Sequence, residues 1–577
     1  MTTDERRGDD APAAPLRPRS TRPRNSRSRS MHPDAPWVQR HPFLAAGAYL
    51  AVFVALIPLG YLIIRTLEYP AADLFEELLT PRVGKLISTS LLLTTVVTIA
   101  CLVLGVFLAV LVMRTRVWGR KALGVAAALP LAIPSYVAAF GWKSLTDLVT
   151  TGQTFQGFWA AALVMTLVTY PYVYLAVCSA LRDIDPSTEE AARSLGNSRW
   201  QAFRRVTLPQ AAPAIASGGL LAALYTLSDF GAVSILRVDT FTRAIFTSFD
   251  VGFDRLGAIS LSTTLLLLTA LIFIVEGRFR KTSTRYARLG PGARRAHGIM
   301  RLKGWTPLFS FLGWIIPIVA VGGISIALIA WSFQGVSRPG GFEELGSAFL
   351  GSAIAAGLAA VATTILAVPL GLYIAGSRSK VARALERIVY LAHSLPGVVI
   401  GLSVVYLGIT VVTGLYQTMW LLVLAYAALF LPLALGPIVS SAGMISESVV
   451  ESAHSLGSKP LDVFRRVTLP LALPGIASGA LTVLLTAVKE LPATLMLRPT
   501  GFETLATRLW THTGVNAYAA AAPFAALLVI LAIVPTWLLV TRVLRDPGSE
   551  RRRRPQKIET EPNEFPQAPN HHQEGPA

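Results

Sequence analysis

Two acidic residues stand where burial makes charge costly. Asp229, in YTLSDFGAVSILR, and Glu490, in TAVKELPATLMLRP, lie in otherwise apolar stretches, 261 residues apart. Arg237 and Arg498 follow them by eight residues each. An ionisable group inside a membrane span is a candidate for a substrate pathway by default, because lipid burial of charge is expensive. The competing reading is structural, with Lys489 or the two arginines neutralising the acids. Replacing both carboxylates by amides separates the readings, since only the pathway role predicts loss of uptake.

Other chemistry-bearing residues lead elsewhere. The nearest approach to a phosphate-binding loop is Gly371 to Gly376, but Ser377 stands where the lysine should be. The chain therefore has no ATP site, no catalytic residues and no cofactor of its own, and is not expected to be an enzyme. His393 is alone in an apolar span and reads as a hydrogen-bonded packing residue. His571 and His572 sit in a polar tail and do not read as a metal site. Cys101 and Cys178 both lie in apolar runs, so they read as small core residues and not as a disulfide framework.

The elements that must carry these residues are membrane spans. Of 577 residues 53% are hydrophobic and only 15% charged, where a soluble domain has about a quarter charged. Apolar runs of the roughly 20 residues needed to cross a bilayer fall at about 43–65, 86–113, 122–140, 157–181, 211–236 and 257–276, and again at 305–332, 347–375, 386–413, 417–441, 471–497 and 519–542. The expected fold is all-α and polytopic, with about twelve transmembrane helices as two parallel six-helix repeats. Five segments follow: a disordered basic tail (1–40), a first half (41–276), a basic linker (277–303), a second half (304–544) and a disordered tail (545–577). No cleavable signal peptide is read.

The net charge of +19 could suggest nucleic acid, but arginine crowds the tails and linker beside apolar spans, which marks the cytoplasmic side. An even number of spans places both termini, the linker and the basic loop 114–121 inside. The acidic stretch 66–81 lies outside. The arginine-rich tails then meet anionic lipid headgroups.

One polar, basic segment occurs twice. Residues 190–218 and 451–479 are offset by 261 positions and agree at 18 of 29. Ser187 with Glu190, and Ser448 with Glu451, fit capping boxes opening a short helix. Gly196 and Gly457 would stop it in a left-handed cap. A second helix should begin near Ser198 or Ser458, carry Trp200 and Phe203 or Leu461 and Phe464, and end before Pro209 or Pro470. Pro134 and Pro396 should kink the third span of each half.

The pattern Glu190, Ala191, Ala192, Gly196, then Leu208-Pro209, resembles the EAA loop of ATP-binding-cassette importer permeases. Glu451, Ser452, Ala453, Gly457 and Leu469-Pro470 repeat it, with Ser452 departing from the pattern. The resemblance covers nearly all of the chain except its tails. It implies a transport subunit in a bacterial cell membrane whose two loops dock two separate ATPase subunits, which bind the ATP and Mg. It also implies an extracytoplasmic substrate-binding protein. The strings around Asp229 and Glu490 resemble the iron(III) branch, whose members fuse two halves. For such cargo, two carboxylates facing each other across a pseudo-two-fold axis would suit a hard cation. Permeases for thiamine, polyamine, phosphonate or an oxyanion share the loop. An ion-coupled secondary transporter is the alternative class, and it would use Asp229 and Glu490 for coupling.

Overall fold

The computed structural model describes residues 42–149, 155–250, 252, 254–286, 302–336, 341–377, 379–392 and 395–544. Two sets of twelve helices follow one another. The first comprises α1 (Pro42–Glu68), α2 (Ala71–Leu78), α3 (Pro81–Arg114), α4 (Arg120–Ala126), α5 (Ser135–Val149), α6 (Phe158–Asp183), α7 (Pro186–Ser194), α8 (Arg199–Ala202), α9 (Leu208–Ser228), α10 (Gly231–Ile235), α11 (Phe241–Asp250) and α12 (Arg255–Tyr286). The second comprises α13 (Thr306–Pro317), α14 (Gly323–Val336), α15 (Gly341–Ala375), α16 (Lys380–Ala392), α17 (Gly397–Thr410), α18 (Met419–Ala442), α19 (Glu447–Ser455), α20 (Pro460–Val463), α21 (Leu469–Val488), α22 (Pro492–Leu497), α23 (Leu505–Gly514) and α24 (Tyr518–Leu544). From α3 onward each helix has its counterpart twelve places later.

Among the described residues nine helices are long and apolar enough to cross a membrane, and two bent pairs bring the spans to eleven. The apolar α24 occupies the twelfth place, matching α12. Both bent pairs, Arg120–Ala132 with Ser135–Val149 and Lys380–Ala392 with Gly397–Thr410, turn by 97° at Pro134 and Pro396. Proline supplies no N–H to the helix ladder and pushes its predecessor out of the α region, so each third span is broken outright.

Three expected boundaries shift. The linker expected to begin at 277 starts as helix, because α12 continues to Tyr286. The fifth spans, expected over 211–236 and 471–497, stop at Ser228 and Val488, and the chain then turns into the short helices α10 and α22. Asp229 and Glu490 therefore occupy helix breaks, where carboxylates accept free backbone N–H groups. The N-terminal tail, linker residues 287–301, His393 and the C-terminal tail lie outside the described residues.

The halves interlock. One core joins Leu93, Leu108 and Phe140 of the first half to Ile324, Leu505 and Leu528 of the second. A second core joins Ala48, Val52 and Ile259 to Ala356, Val399 and Leu431. The opening spans are exchanged: α1 packs along α15, whereas α13 meets α3 and α4, with Ser310 Oγ accepting from the Trp118 N–H at 3.1 Å. Small residues permit these approaches, as membrane helices require. A Cβ on Gly47 of α1 would lie 2.7 Å from Pro369 Cβ on α15, and one on Gly313 of α13 would lie 2.5 Å from Leu111 Cδ2 on α3. Large apolar side chains such as Phe53, Ile99, Val103, Val361 and Ile365 point outward, toward lipid.

Candidate functional site

Each elbow is built by local backbone chemistry. α7 opens on Asp185, not on Ser187: the Asp185 carboxylate accepts from the Ser187 N–H at 2.9 Å, with Pro186 in the first turn. Aspartate followed by proline is the stronger start, because proline needs no donor there and fixes a helical φ. In the second copy the expected cap Ser448 lies inside α19, which begins at Glu447. Both helices end as anticipated. Gly196 has φ +90° and Gly457 φ +81°. The Asn197 N–H reaches the Ala192 carbonyl at 3.3 Å, and Ser458 N–H reaches Ala453 at 3.3 Å, the six-to-one bond of a Schellman cap.

Nothing lies within 4 Å of a Cβ placed on either glycine, so a side chain there acts through the backbone alone. A left-handed residue with a Cβ costs about 1–2 kcal/mol. Gly196→Val is thus expected to weaken ATPase capture roughly 5–30-fold, measured by binding of the ATPase to the solubilised protein. Unchanged capture would show that the elbow angle is not read by a partner.

The second elbow helix departs from expectation. It does not end before the proline. α8 opens on a capping box between Ser198 and Gln201, and Arg199–Ser228 then forms one 30-residue helix. FRRVT forms a π turn in both copies, Phe203–Thr207 and Phe464–Thr468. The Leu208 N–H reaches back to Phe203, and the Leu469 N–H to Phe464. The wider turn accommodates the proline ring and its missing donor without breaking the helix. The elbow's second arm is therefore the start of the fifth span itself, and Leu208-Pro209 and Leu469-Pro470 lie inside the rod.

Glu190, Ala191, Glu451 and Ser452 are exposed, Ala453 is half-buried, and Ala192 is 9% exposed. Sequence reasoning named Trp200 and Leu461 but missed Leu195 and Leu456, the most exposed large apolar side chains of these surfaces. Leu195 is 84% exposed and its counterpart Leu456 86%; Trp200 and Leu461, again 261 apart, are also exposed. Matched apolar side chains are thus held out from a polar loop in both halves, the kind of surface an interaction face offers. The identity of Leu195 and Leu456 between the two copies was the available signal.

The second cluster lies where four chain breaks meet. Asp229 is buried; one oxygen accepts from Ala232 N–H at 2.9 Å and Val233 N–H at 3.4 Å, and the other accepts from the Ser135 hydroxyl at the break before α5. Glu490 accepts from the Ala493 N–H at 2.8 Å, and its carboxylate lies 3.1 Å from where a Cβ on Gly397 would sit, at the break before α17. The halves meet at this level, since the Tyr136 hydroxyl donates to the Lys489 carbonyl at 3.2 Å. Phe230 packs on Trp510 with ring centroids 5.1 Å apart. The arginines do not share one role. Arg498 is ion-paired with Glu503 and donates to the Phe502 carbonyl at 3.2 Å, whereas Arg237 is exposed, with φ +56°. Among the described residues no three His, Cys, Asp or Glu side chains gather as a metal site.

Known proteins share this organisation. Residues 101–282 and 367–545 each match the family described as binding-protein-dependent transport system inner membrane component. The chain is 38% identical over 506 residues to the Fe(3+)-transport system permease protein FbpB 2 of Haemophilus influenzae, covering 87% of this chain and 98% of that protein. The ferric transport system permease protein FbpB of Actinobacillus pleuropneumoniae is 24% identical over 444 residues, 72% of this chain and 64% of that one. The sulfate transport system permease protein CysT of Escherichia coli is 28% identical over 247 residues, 40% of this chain and 88% of its own. With two copies of the unit in one polypeptide and a relative aligned almost end to end, the chain belongs to the binding-protein-dependent transport system inner membrane components.

Proposed function

We propose that this chain is the transmembrane permease subunit of an ATP-driven importer for ferric iron, delivered by an extracytoplasmic binding protein. The observation that carries the reading is the duplicated elbow, with matched apolar knobs at Leu195 and Leu456. Two ATPase subunits, which bind ATP and Mg, dock on these elbows from the cytoplasm. Both termini then lie on the cytoplasmic side, as the arginines of the tails require. Ferric iron as cargo rests on the end-to-end similarity to an iron permease. Sulfate permeases match only 40% of the chain, so an oxyanion cargo is the second reading.

Closure of the ATPase pair moves the elbows, and each elbow is continuous with a fifth span through its π turn. That motion reaches the breaks at Asp229 and Glu490, where the halves touch, and opens them alternately to the two sides. We place both carboxylates on the cargo path. Reconstitution in proteoliposomes with the ATPase and the binding protein tests the reading. Iron-loaded binding protein is expected to stimulate ATP hydrolysis and drive iron inward. Stimulation by a sulfate-loaded protein instead would overturn the iron assignment. Proton-driven uptake by the chain alone would overturn the ATP-driven class.

A further inference from the structure

The two elbows have the same shape but are fixed to their halves by different chemistry. Arg114, at the end of α3, is only 3% exposed, and its Nη1 lies 3.3 Å from Glu189 Oε2 on α7. The Thr207 hydroxyl, in the π turn, donates to the same oxygen at 3.2 Å. Gln210 Nε2 donates to Thr188 Oγ1 at 3.5 Å. One carboxylate thus ties together a transmembrane helix, the docking helix and the start of the fifth span.

Among the described residues the second half holds none of this. In the second half Gly376 stands in place of Arg114, in the register that pairs Ser90 with Ser352 and Pro134 with Pro396; on the elbow, 261 residues on, Val450 replaces Glu189, Val449 replaces Thr188 and Leu471 replaces Gln210, and only Thr468 is kept. Val450 is 2% exposed, and Gly376 has no side chain to offer it.

The apolar version shows that stability does not demand the ion pair. A buried pair is often no better than well-packed hydrophobic groups, because desolvation offsets the attraction. Here the pair is also incompletely satisfied, since Arg114 Nε and Nη2 have no hydrogen-bond partner. A buried group left so in one half, when an apolar solution exists in the other, calls for a reason beyond packing. Directionality supplies one. An ion pair with a shared hydroxyl holds α7 at one register against α3, whereas a buried valine and a glycine supply no directional tie.

We infer that Arg114 and Glu189 are positioning residues that lock the first docking elbow to α3, so that the two halves transmit ATPase motion unequally, the first through a directional tie and the second without one. This rests on the importer reading above. Glu189→Val leaves Arg114 buried without its partner and is expected to lower cargo moved per ATP hydrolysed about tenfold, within the usual range of coupling between sites. Arg114→Gly with Glu189→Val removes the stranded charge along with the lock and installs the second half's residues; its ratio should stay about tenfold low, which separates a lost lock from the cost of an unpaired buried arginine.

The readout is transport per ATP in proteoliposomes containing the assembled complex, a ratio that reduced folding or yield does not move. Should Glu189→Val fail to accumulate, Glu189→Gln keeps the shape and the Thr207 contact while removing the charge, and it too should uncouple. A parent-like ratio in the single variant, or a double variant restored to the parent ratio, would overturn the lock. A parent complex that binds no ATPase would instead defeat the importer reading and is distinguishable at once.

Discussion

A chain carrying Leu195→Asp together with Leu456→Asp captures no ATPase subunit, although it inserts and folds as the parent does. Both leucines are more than four-fifths exposed, so little internal packing is lost with them. Burying a leucine on a partner contributes about 1.5–3 kcal/mol, and an aspartate there adds the cost of a desolvated, unpaired charge. Each elbow should therefore lose at least roughly tenfold to a hundredfold in affinity. Single variants should each retain one docked subunit. Binding of the purified ATPase to the solubilised chain measures this. Parent-like capture by the double variant would move the docking face away from the elbows.

Uptake ceases in the second large-effect variant, Asp229→Asn with Glu490→Gln, while the ATPase still docks. The amides keep an oxygen for the caps on α10 and α22, so the backbone breaks survive. What disappears is negative charge at the level where the halves meet. A trivalent cation prefers hard, anionic oxygen ligands, and two neutral amides in a low-dielectric passage do not replace them. The elbows lie at the far end of α9 and α21, so docking is preserved. Transport at the parent rate would reduce both carboxylates to helix caps. Loss of both transport and docking would mean that the breaks hold the whole fold.

Much of the architecture was legible because its causes are local. Pro134 and Pro396 announce broken spans, since a missing donor acts wherever it stands. Gly196 and Gly457 announce the elbow, because only a left-handed residue closes those caps cheaply. The exact start of α7 was harder. Asp185, Pro186 and Ser187 compete within three positions, and proline in the first turn favours the aspartate. The continuous rod through Pro209 and Pro470 was not legible, because a proline can either end a helix or be absorbed by a π turn. Arg114 and Glu189 are 75 residues apart, and only the fold reveals that they touch. Arg237 and Arg498 look equivalent in sequence, yet Arg498 is paired with Glu503 and Arg237 is exposed.

The central claim is that one polypeptide offers two equivalent seats to two motor subunits. Native mass spectrometry of the detergent-solubilised complex reads this directly. The account predicts one 61.9 kDa chain carrying two ATPase copies, falling to one copy when either Leu195 or Leu456 alone becomes aspartate. A parent complex holding a single ATPase, or a second copy that stays bound after either substitution, would contradict it.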